Sequence, residues 1–530
     1  VEKSIIMSKI IKSTAILFIL TIISKVIGFC RETILVSTYG ASMISDVYIT
    51  SMKIPMTLFA IIASAVATTF IPKFYEVEKN EGSECALAFS NNLINIVIIV
   101  SLLLSILGFV FAEHLVKLFA MDFTGEKFDL TVKFTRILVF TMTFVGLSDI
   151  MKGWLQIKEK YSIPALIGIP YNIIIILSII ISSKGNVMIL VLGSFMAVLS
   201  KFLFQLPFAY KNGYKYKQYL DIKDDNIKSI ILLLMPVVVG VGATQINSVI
   251  DSTLASTLGD GMITVLNSAS RLQEFVTTLF ITTIVSVIYP IFSRLSNDED
   301  SSEFKDIIRK SLNIVILIII PVSVGAIVLA NPIVKILFER GKFDSNATIM
   351  TAQALRCYAI GISASGITTI LNRIFYSMKD TKTPMINGVI SIVVNIIFNL
   401  ILINFIGHMG LALATSISAL VKLGLMFRKL KERIADFGQD LILKAFRKVM
   451  IASTVMGVVV CLMNSGINHL SIINSKVYVL GLFLVILIGA LLYAFMIMKM
   501  NIEEVKIILD KVTYKIKNKN VEAEDISQGI

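Results

Sequence analysis

Long apolar runs recur along almost the whole chain and decide what it can fold into. Hydrophobic residues make up 56% of its 530 residues and charged residues only 16%, so a water-soluble domain of this composition would expose a mostly apolar surface. A run of about 20 apolar residues crosses a bilayer as a helix, because a helix satisfies its own backbone hydrogen bonds. The chain contains about fourteen such runs, near residues 13–36, 46–72, 86–112, 131–152, 162–182, 187–209, 228–257, 263–293, 311–330, 350–377, 384–404, 409–427, 447–464 and 474–498. It is therefore predicted to be an all-α polytopic membrane protein.

The same hydrophobic design occurs twice, at an offset of about 220 residues. Segments 161–168 and 381–388 share a proline and a glycine in register, and segment 190–201 matches 411–422. Many transporters consist of two such repeats, with the substrate site between them. The chain is therefore predicted to form two pseudo-symmetric six-helix lobes, followed by two additional helices.

Four regions follow from this repeat and from the distribution of charge. The predicted boundaries are an N-lobe at residues 1–222, a C-lobe at 223–430, two helices within 431–500 and a tail at 501–530. About 32 Lys and Arg residues lie in the terminal stretches and even-numbered connections, against about 7 in the odd-numbered ones, so both termini are predicted to be cytoplasmic. This bias and contact with anionic membrane lipids explain the net charge of +13, and nucleic-acid binding is not expected.

The sequence does not indicate an enzyme. The four cysteines lack metal-ligand and disulfide spacing, and no nucleophile accompanies the three histidines. The sequence contains neither a phosphate-binding glycine loop nor an ATPase motif. No covalently bound cofactor is expected, and energy for transport is expected to come from an ion gradient or from the membrane potential.

Charged residues within the predicted spans are the candidates for function, because a charge in the bilayer needs a cavity or a partner. These residues are Lys25, Arg31, Glu32, Asp46, Lys53, Asp251, Arg271 and Glu274. Four of them lie at a similar depth, roughly 8–12 Å below the outer ends of their spans, namely Arg31, Lys53, Asp251 and Arg271. They are predicted to line one chamber, whose guanidinium groups favour an anion such as phosphate.

Structural ion pairs are the alternative interpretation of the same charges. In that case Arg31 pairs with Glu274 or Asp46, and Arg271 pairs with Glu32. Three other basic residues lie nearer to span ends, where snorkelling to the membrane surface is expected; they are Arg136, Arg356 and Lys201.

Several motifs, taken in order, resemble the MurJ (MviN) family. They are SKVIGFCRE at 24–32, GASMISD at 40–46, SRLQE at 270–274, LFERGKF at 337–343, FYSMKDTKTP at 375–384 and GLALATS at 410–416. That family comprises lipid II flippases of the multidrug/oligosaccharidyl-lipid/polysaccharide exporter superfamily. The resemblance extends from the first span through the twelfth, and two added C-terminal helices fit the same family.

The resemblance implies a V-shaped pair of lobes in the bacterial cytoplasmic membrane. Such a protein moves undecaprenyl-pyrophosphate-linked disaccharide-pentapeptide, lipid II, from the inner to the outer leaflet by alternating access. The last two helices are expected to form a groove for the polyprenyl tail. A monomer is expected, with cell-wall synthesis enzymes as a further class of partner.

The resemblance also assigns roles to the charged residues. Arg31 and Arg271 match the family's cavity arginines, Glu32 matches the neighbouring acid, and Lys25 replaces an arginine of the first span. Phe59 stands where many relatives carry a second-span arginine, which leaves Lys53 as the only cation of that span. A lysine cannot offer a bidentate fork to phosphate.

A sodium site is implied in the same way. Its matching positions are Asp251, Asn395, Asn399, Thr415 and the carbonyl of Leu411. Since Asn399 replaces the second carboxylate of some relatives, sodium is expected to bind weakly. Asn side chains at helical spacing also serve as hydrogen bonds between membrane helices, which is the alternative role.

Two other transport functions stay open at this point. A flippase for another polyprenyl-linked glycan, such as a teichoic acid or capsule precursor, would share the cationic cavity. A MATE-like cation or drug antiporter would need an acidic cavity, which the cations at positions 31, 53 and 271 do not provide.

Overall fold

The computed structural model describes residues 2–296, 301–468 and 475–506, and all regular elements within these ranges are α-helices. In chain order the helices are α1 (Glu2–Tyr39), α2 (Met43–Glu81), α3 (Ser83–Val110), α4 (Ala112–Phe119), α5 (Gly125–Leu138), α6 (Thr141–Ile157), α7 (Ser162–Leu166), α8 (Gly168–Ser182), α9 (Met188–Lys211), α10 (Asp225–Ser256), α11 (Met262–Leu295), α12 (Ser302–Val328), α13 (Ala330–Phe338), α14 (Ser345–Ser377), α15 (Lys382–Ile406), α16 (His408–Arg433), α17 (Gln439–Asn468) and α18 (Ser475–Lys499). Most of the predicted tail, residues 507–530, lies outside the described residues.

Eleven helical segments of the described chain are long and apolar enough to cross a membrane. Each coincides with one of the runs predicted from the sequence. The other three predicted runs fall on α1, α10 and α11, which have 38, 32 and 34 residues. The all-α polytopic class is thus confirmed, and the total of fourteen spans stays a prediction.

The aligned repeat segments occupy equivalent places in their helices. Pro164 is the third residue of α7, and its counterpart Pro384 is the third residue of α15. Proline is tolerated in the first turn of a helix, where its missing N–H has no intrahelical partner. Both prolines therefore mark the beginning of a helix at the same point of the repeat.

The chain forms two compact units. Unit 1 contains Val1–Ser268 and the separate segment Leu337–Thr348, and unit 2 contains Ala269–Ile336 and Ile349–Ile530. Helix α11 contributes residues to both units. The lobe boundaries predicted from the repeat stay a prediction.

Aromatic residues of α2, α3 and α6 fill the core of unit 1. Phe70 stacks on Phe89, and Phe74 meets Trp154 edge-on with ring centroids 5.6 Å apart. Phe59 belongs to the same cluster and is only 2% exposed. A Cβ atom built on Gly146 of α6 would lie 2.9 Å from its ring, so Phe59 fills the space between α2 and α6. Phe59, which the resemblance places at the position of a family arginine, is therefore part of the packed core.

Small residues allow α1 to lie close against α8. A Cβ atom built on Gly168 would lie 2.1 Å from the Ser24 Oγ, and one built on Gly28 would lie 3.4 Å from the Asn172 Nδ2. Glycine and serine permit this kind of close approach between membrane helices. The packing brings the following turn of α1, which carries Arg31, against the same helix.

The end of α1 meets the segment Leu337–Thr348 through backbone atoms, and we call this contact the main-chain joint. The Lys342 N–H donates to the Ser37 carbonyl at 2.8 Å. A Cβ atom built on Gly341 would lie 2.2 Å from the Ser37 carbonyl oxygen, and one built on Gly40 would lie 2.5 Å from the Lys342 carbonyl oxygen. Both glycines have positive φ angles, 60° and 71°. Only glycine fits these conformations and these distances without strain.

The core of unit 2 extends from the end of α11 through α12, α14, α16 and α17. Helix α17 packs against α12, and α18 packs against α17. After α18 the chain is fixed to the beginning of α12, where Arg309 pairs with Glu503 at 2.7 Å and Asn313 donates to Glu504 at 2.8 Å. The two C-terminal helices are therefore integral to unit 2, and their role in binding a lipid tail stays a prediction.

Candidate functional site

Arg31 is a partly accessible cation in α1, one of the three helices whose membrane crossing stays a prediction. Its side chain is 21% exposed, and its Nη2 lies 3.4 Å from the Glu32 carboxylate. Its guanidinium carbon lies 5.6 Å from the centroid of the Tyr171 ring on α8. The Asn267 amide donates to the other Glu32 oxygen at 2.6 Å, which fixes that carboxylate. In the part of the chain that the structure describes, the guanidinium of Arg31 has one ion-pair contact, to Glu32, so several of its five N–H donors are available to an anion.

Asp46 is fully buried and holds the beginning of α11. Its carboxylate accepts hydrogen bonds from the Gly261 N–H at 2.7 Å and from the Thr264 N–H and hydroxyl at 2.9 and 2.7 Å. The Lys127 ammonium lies 3.3 Å from Asp46 and 2.6 Å from Asp260. Asp46 therefore caps the helix N-terminus, where a negative charge is stabilised by the helix dipole. In the alternative interpretation Arg31 could pair with Asp46, but Asp46 pairs with Lys127 instead. A role of Asp46 in substrate binding stays a prediction.

Lys53 connects α2 to α10. Its ammonium donates to the Ser248 carbonyl at 2.9 Å and to the Ser252 hydroxyl. On the same helix, the Asn247 amide donates to Asp251 at 3.0 Å. Lys53 is therefore part of a polar contact between two helices of unit 1, and its predicted contact with substrate is not tested by this arrangement.

The remaining predicted charges are more accessible. Lys25 of α1, in unit 1, is exposed. In unit 2, Arg271 is 48% exposed and pairs with Glu274 at 2.9 Å, one turn further along α11. Such exposed pairs contribute little to stability, so the guanidinium exchanges its partner at little cost.

Four of the five predicted sodium ligands form one hydrogen-bonded group in unit 2. The Asn399 amide donates to Asn395 at 2.9 Å, the Asn395 amide donates to Thr415 at 3.4 Å, and the Thr415 hydroxyl donates to the Leu411 carbonyl at 3.1 Å. Both asparagines are buried. The fifth residue, Asp251, lies in unit 1. Amide, hydroxyl and carbonyl oxygens are the donors that a hard cation prefers, so this group fits sodium chemically. Among the described residues, no group of three or more His, Cys, Asp or Glu side chains could hold a metal ion.

Lys201 is a second cation beside Arg31 in unit 1, and the sequence had not predicted it there. It was expected to snorkel from a span end, but it is the fourteenth of the 24 residues of α9. Its ammonium lies 3.9 Å from the centroid of the Tyr171 ring, the same ring that Arg31 contacts. Two signals in the sequence pointed to it: the repeat pairs it with Lys422, and its spacing from Ser194 places both on one helix face.

Unit 1 thus offers two cations against one aromatic ring. Arg31 and Lys201 come from α1 and α9, and Tyr171 of α8 lies between them in the chain. Cations of this kind bind the oxygens of phosphate or carboxylate groups. The site is suited to holding an anion.

Comparison with known proteins identifies the family. The sequence model described as "Lipid II flippase MurJ" matches residues 35–489 of the chain. The chain belongs to the MurJ family. The MurJ family consists of transporters rather than enzymes, and together with the eleven apolar helices it identifies a multi-pass protein of the inner membrane.

Relatives and solved structures agree with this membership. The chain is 30% identical over 441 residues to a "Probable lipid II flippase MurJ" of Vibrio cholerae serotype O1, covering 80% of this chain and 83% of the relative. A solved structure, "Lipid II flippase MurJ, inward closed conformation", has a TM-score of 0.77 at 27% identity and covers 91% of this chain and 97% of its own. An inward-facing MATE family multidrug transporter has a TM-score of 0.65 at 15% identity over 80% of this chain and 99% of its own, which shows a shared fold alone.

Proposed function

We propose that this chain is a flippase that carries lipid II from the inner to the outer leaflet of the cytoplasmic membrane by alternating access. The observation that supports it most directly is Arg31, a partly exposed guanidinium in a membrane helix with one long contact to its neighbour Glu32. A charge in this setting needs a ligand or a partner. Membership of the MurJ family makes the polyprenyl diphosphate of lipid II the appropriate ligand.

In this proposal the guanidinium groups of Arg31 and Arg271 bind the diphosphate oxygens as planar forks. Glu32, fixed by Asn267, orients the Arg31 fork and keeps its charge balanced when no substrate is bound. A ligand shifts an equilibrium between conformers only by its difference in affinity for them. The diphosphate must therefore reach these cations better in one conformer than in the other.

Buried polar contacts in unit 1 are suited to stabilising the conformer described here. Asp46 and Lys127 fix the beginning of α11, and Lys53 fixes α2 to α10. Alternating access requires elements with two discrete arrangements. We propose that these contacts belong to one arrangement and are exchanged or lost in the other.

Sodium and the membrane potential are the proposed sources of energy. Asn395, Asn399, Thr415 and the Leu411 carbonyl would hold the ion together with Asp251, and a single carboxylate predicts weak binding. Sodium should then shift the conformers by an amount on the order of 1–3 kcal/mol. The test is labelling of cysteines placed at the outer ends of spans, in sodium and in potassium, with the parent and Asp251→Asn. Equal labelling of the parent in both salts would leave the potential as the driver.

The finer features of the architecture are part of the same proposal. The chain would cross the membrane fourteen times with both termini in the cytoplasm. Its two pseudo-symmetric lobes would cover residues 1–222 and 223–430, and α17 and α18 would provide a groove for the polyprenyl tail. The protein would act as a monomer, alongside cell-wall synthesis enzymes.

The decisive experiment is complementation. A host depleted of its own lipid II flippase should grow and externalise lipid II when it expresses this chain. Arg31→Ala and Arg271→Ala should each abolish the rescue while the protein still reaches the membrane, and Arg31→Lys should be partly active because charge survives and the fork does not. The matched control is Arg136→Ala, which removes an exposed ion pair with Glu113 and should rescue normally.

Two outcomes would contradict the proposal. Rescue by a double variant, with alanine at both 31 and 271, would exclude the diphosphate contacts. Failure of the parent to externalise lipid II, combined with export of a teichoic acid or capsule precursor, would assign the chain to another polyprenyl-linked glycan.

A further inference from the structure

Helix α9 places Lys201 on its protein-facing side, in the middle of a membrane span. The residues one and two turns away on the same face are buried; they are Ser194, Val198 and Gln205. The opposite face is exposed through Leu192, Met196 and Leu203. A lysine that snorkels would follow the exposed face toward the membrane surface. Lys201 is instead directed into unit 1.

Within unit 1 the ammonium of Lys201 packs on Tyr171. It lies 3.9 Å from the ring centroid, and the guanidinium carbon of Arg31 lies 5.6 Å from the same centroid. The two cationic centres are therefore separated by no more than 9.5 Å, the sum of these distances. Two positive charges this close repel each other in a membrane interior, and a ring quadrupole offsets only part of that repulsion.

Among the described residues, no carboxylate lies within ion-pair distance of Lys201. At longer range the Asp149 carboxylate of α6 interacts with Lys201 and with Lys152 of its own helix. Asp149 is shared between Lys152 and Lys201, so it balances the charge of Lys201 only in part. Arg31 has the Glu32 carboxylate at 3.4 Å, and Lys201 has the aromatic ring. An intramembrane lysine held in this way marks a site for an anion.

We propose that Lys201 is a second anion-binding residue of the substrate site, which takes one phosphate of a diphosphate while Arg31 takes the other. The Tyr171 ring sets the separation of the two cations and holds the ammonium when no ligand is present. This inference rests on the proposed function and deepens it, because it makes a diphosphate, rather than a single phosphate, the group that the site distinguishes.

The second half of the chain carries a lysine at the equivalent position. Lys422 of α16 is the repeat partner of Lys201, and it lies on the helix face that also presents Leu411 and Ser418, both buried. Each repeat therefore places one lysine on the protein-facing side of its last helix. This recurrence is explained by a function in each half, whereas a lysine that only serves solubility at a span end has no reason to recur on the inner face.

The experiment measures binding to the full-length protein in detergent. The probes are undecaprenyl diphosphate and undecaprenyl monophosphate, and native mass spectrometry gives the affinity for each. Lys201→Gln should weaken binding of the diphosphate about tenfold, because one charge-assisted contact is lost, and should change binding of the monophosphate less than about twofold. Lys201→Arg should retain the preference for the diphosphate. The matched control is Lys184→Gln, an exposed lysine of the α8–α9 connection, which should bind both lipids as the parent does.

Each other outcome has a definite meaning. A parent that binds neither lipid overturns the proposed function, and the inference falls with it. Equal affinity of the parent and of Lys201→Gln for the diphosphate overturns the inference and leaves the proposed function standing. Equal losses for both lipids would show that Lys201 does not distinguish a second phosphate, which also overturns the inference.

Discussion

Removal of the Asp46 carboxylate should release the first turn of α11 without unfolding the rest of unit 1. Asp46→Ala leaves three donors of that turn without their acceptor, the Gly261 N–H and the N–H and hydroxyl of Thr264. The Lys127 ammonium is not left alone, because it keeps the Asp260 carboxylate at 2.6 Å. The perturbation is therefore a lost helix cap together with buried donors.

The magnitude follows from these contacts. Loss of an N-cap costs about 0.5–2 kcal/mol, and a buried donor left unsatisfied costs about 1–3 kcal/mol. The Thr264 hydroxyl retains Ser45 as a partner at 2.9 Å, so the costs do not add in full. We expect Asp46→Ala to lower the free energy of local opening of residues 261–264 by about 2–4 kcal/mol. Their amide hydrogens should then exchange about 30- to 1000-fold faster. Asp46→Asn should give exchange rates between those of the parent and of Asp46→Ala. Its amide oxygen still accepts from Thr264, while its NH2 group faces the Gly261 N–H.

Hydrogen exchange of the purified protein, followed by mass spectrometry, measures the local opening of residues 261–264 directly. The matched control is Asp260→Ala, which removes the exposed partner of the same lysine and should accelerate exchange less than about fivefold. Protection of residues 261–264 that is unchanged in Asp46→Ala would refute the reasoning, since the carboxylate would then not be what holds the helix end. Equal effects of the two variants would assign the stability to the lysine instead.

Three further predictions concern packing, pH and the α2–α10 contact. Gly168→Ala should destabilise the protein by about 1–3 kcal/mol through overpacking of α1 against α8, and adding Ser24→Ala should restore part of the loss in thermal unfolding, because the obstructing Oγ is removed. Hydrogen bonds from Arg309 hold the pKa of the Glu503 carboxyl below its ordinary value of 4.5, so their stabilisation is complete above that value and is lost as pH falls through the lowered pKa. Since Glu503 is 54% exposed, we expect these hydrogen bonds to contribute less than about 1 kcal/mol to the free energy of unfolding. Thermal unfolding at pH 7 and pH 3 should show this loss of stability in acid, and Arg309→Met should abolish it. Lys53→Met should lower thermal stability by about 1–3 kcal/mol, because a charged donor between two helices is lost; a loss of rescue at unchanged stability would instead assign Lys53 to the substrate.

The sequence predicts the all-α polytopic class of the protein and the group of polar side chains in unit 2 well. Run length alone locates the spans, because a helix that crosses the bilayer cannot be much shorter than the apolar layer. Asn395 and Asn399, four residues apart, must lie on one face of their helix, and the resemblance of the following motif supplied Thr415. The structure accordingly brings these three side chains together.

Depth along a span is predictable, but the direction and partner of a charged side chain are not. Lys53 was expected in the substrate chamber because of its depth, and Asp46 was a candidate because it is a charge within a predicted span. The described contacts engage both in joining helices. Lys201 was predicted to snorkel from a span end, because an apolar run does not show which face of its helix packs against the protein. The missing information in each case is tertiary: which neighbouring helix supplies the donor, the acceptor or the ring.

The main-chain joint has a consequence for robustness. Its parts are amide N–H groups, carbonyl oxygens and two glycines, so it carries no titratable side chain and no net charge. Salt, which screens exposed pairs such as Arg271 with Glu274, leaves a joint of this kind unchanged. Its hydrogen bond does not depend on the side chains at positions 37 and 342, so substitutions there other than proline preserve it, while positions 40 and 341 accept nothing larger than a hydrogen atom. Genetic screens of this segment should therefore return disruptive substitutions at the two glycines and silent ones beside them.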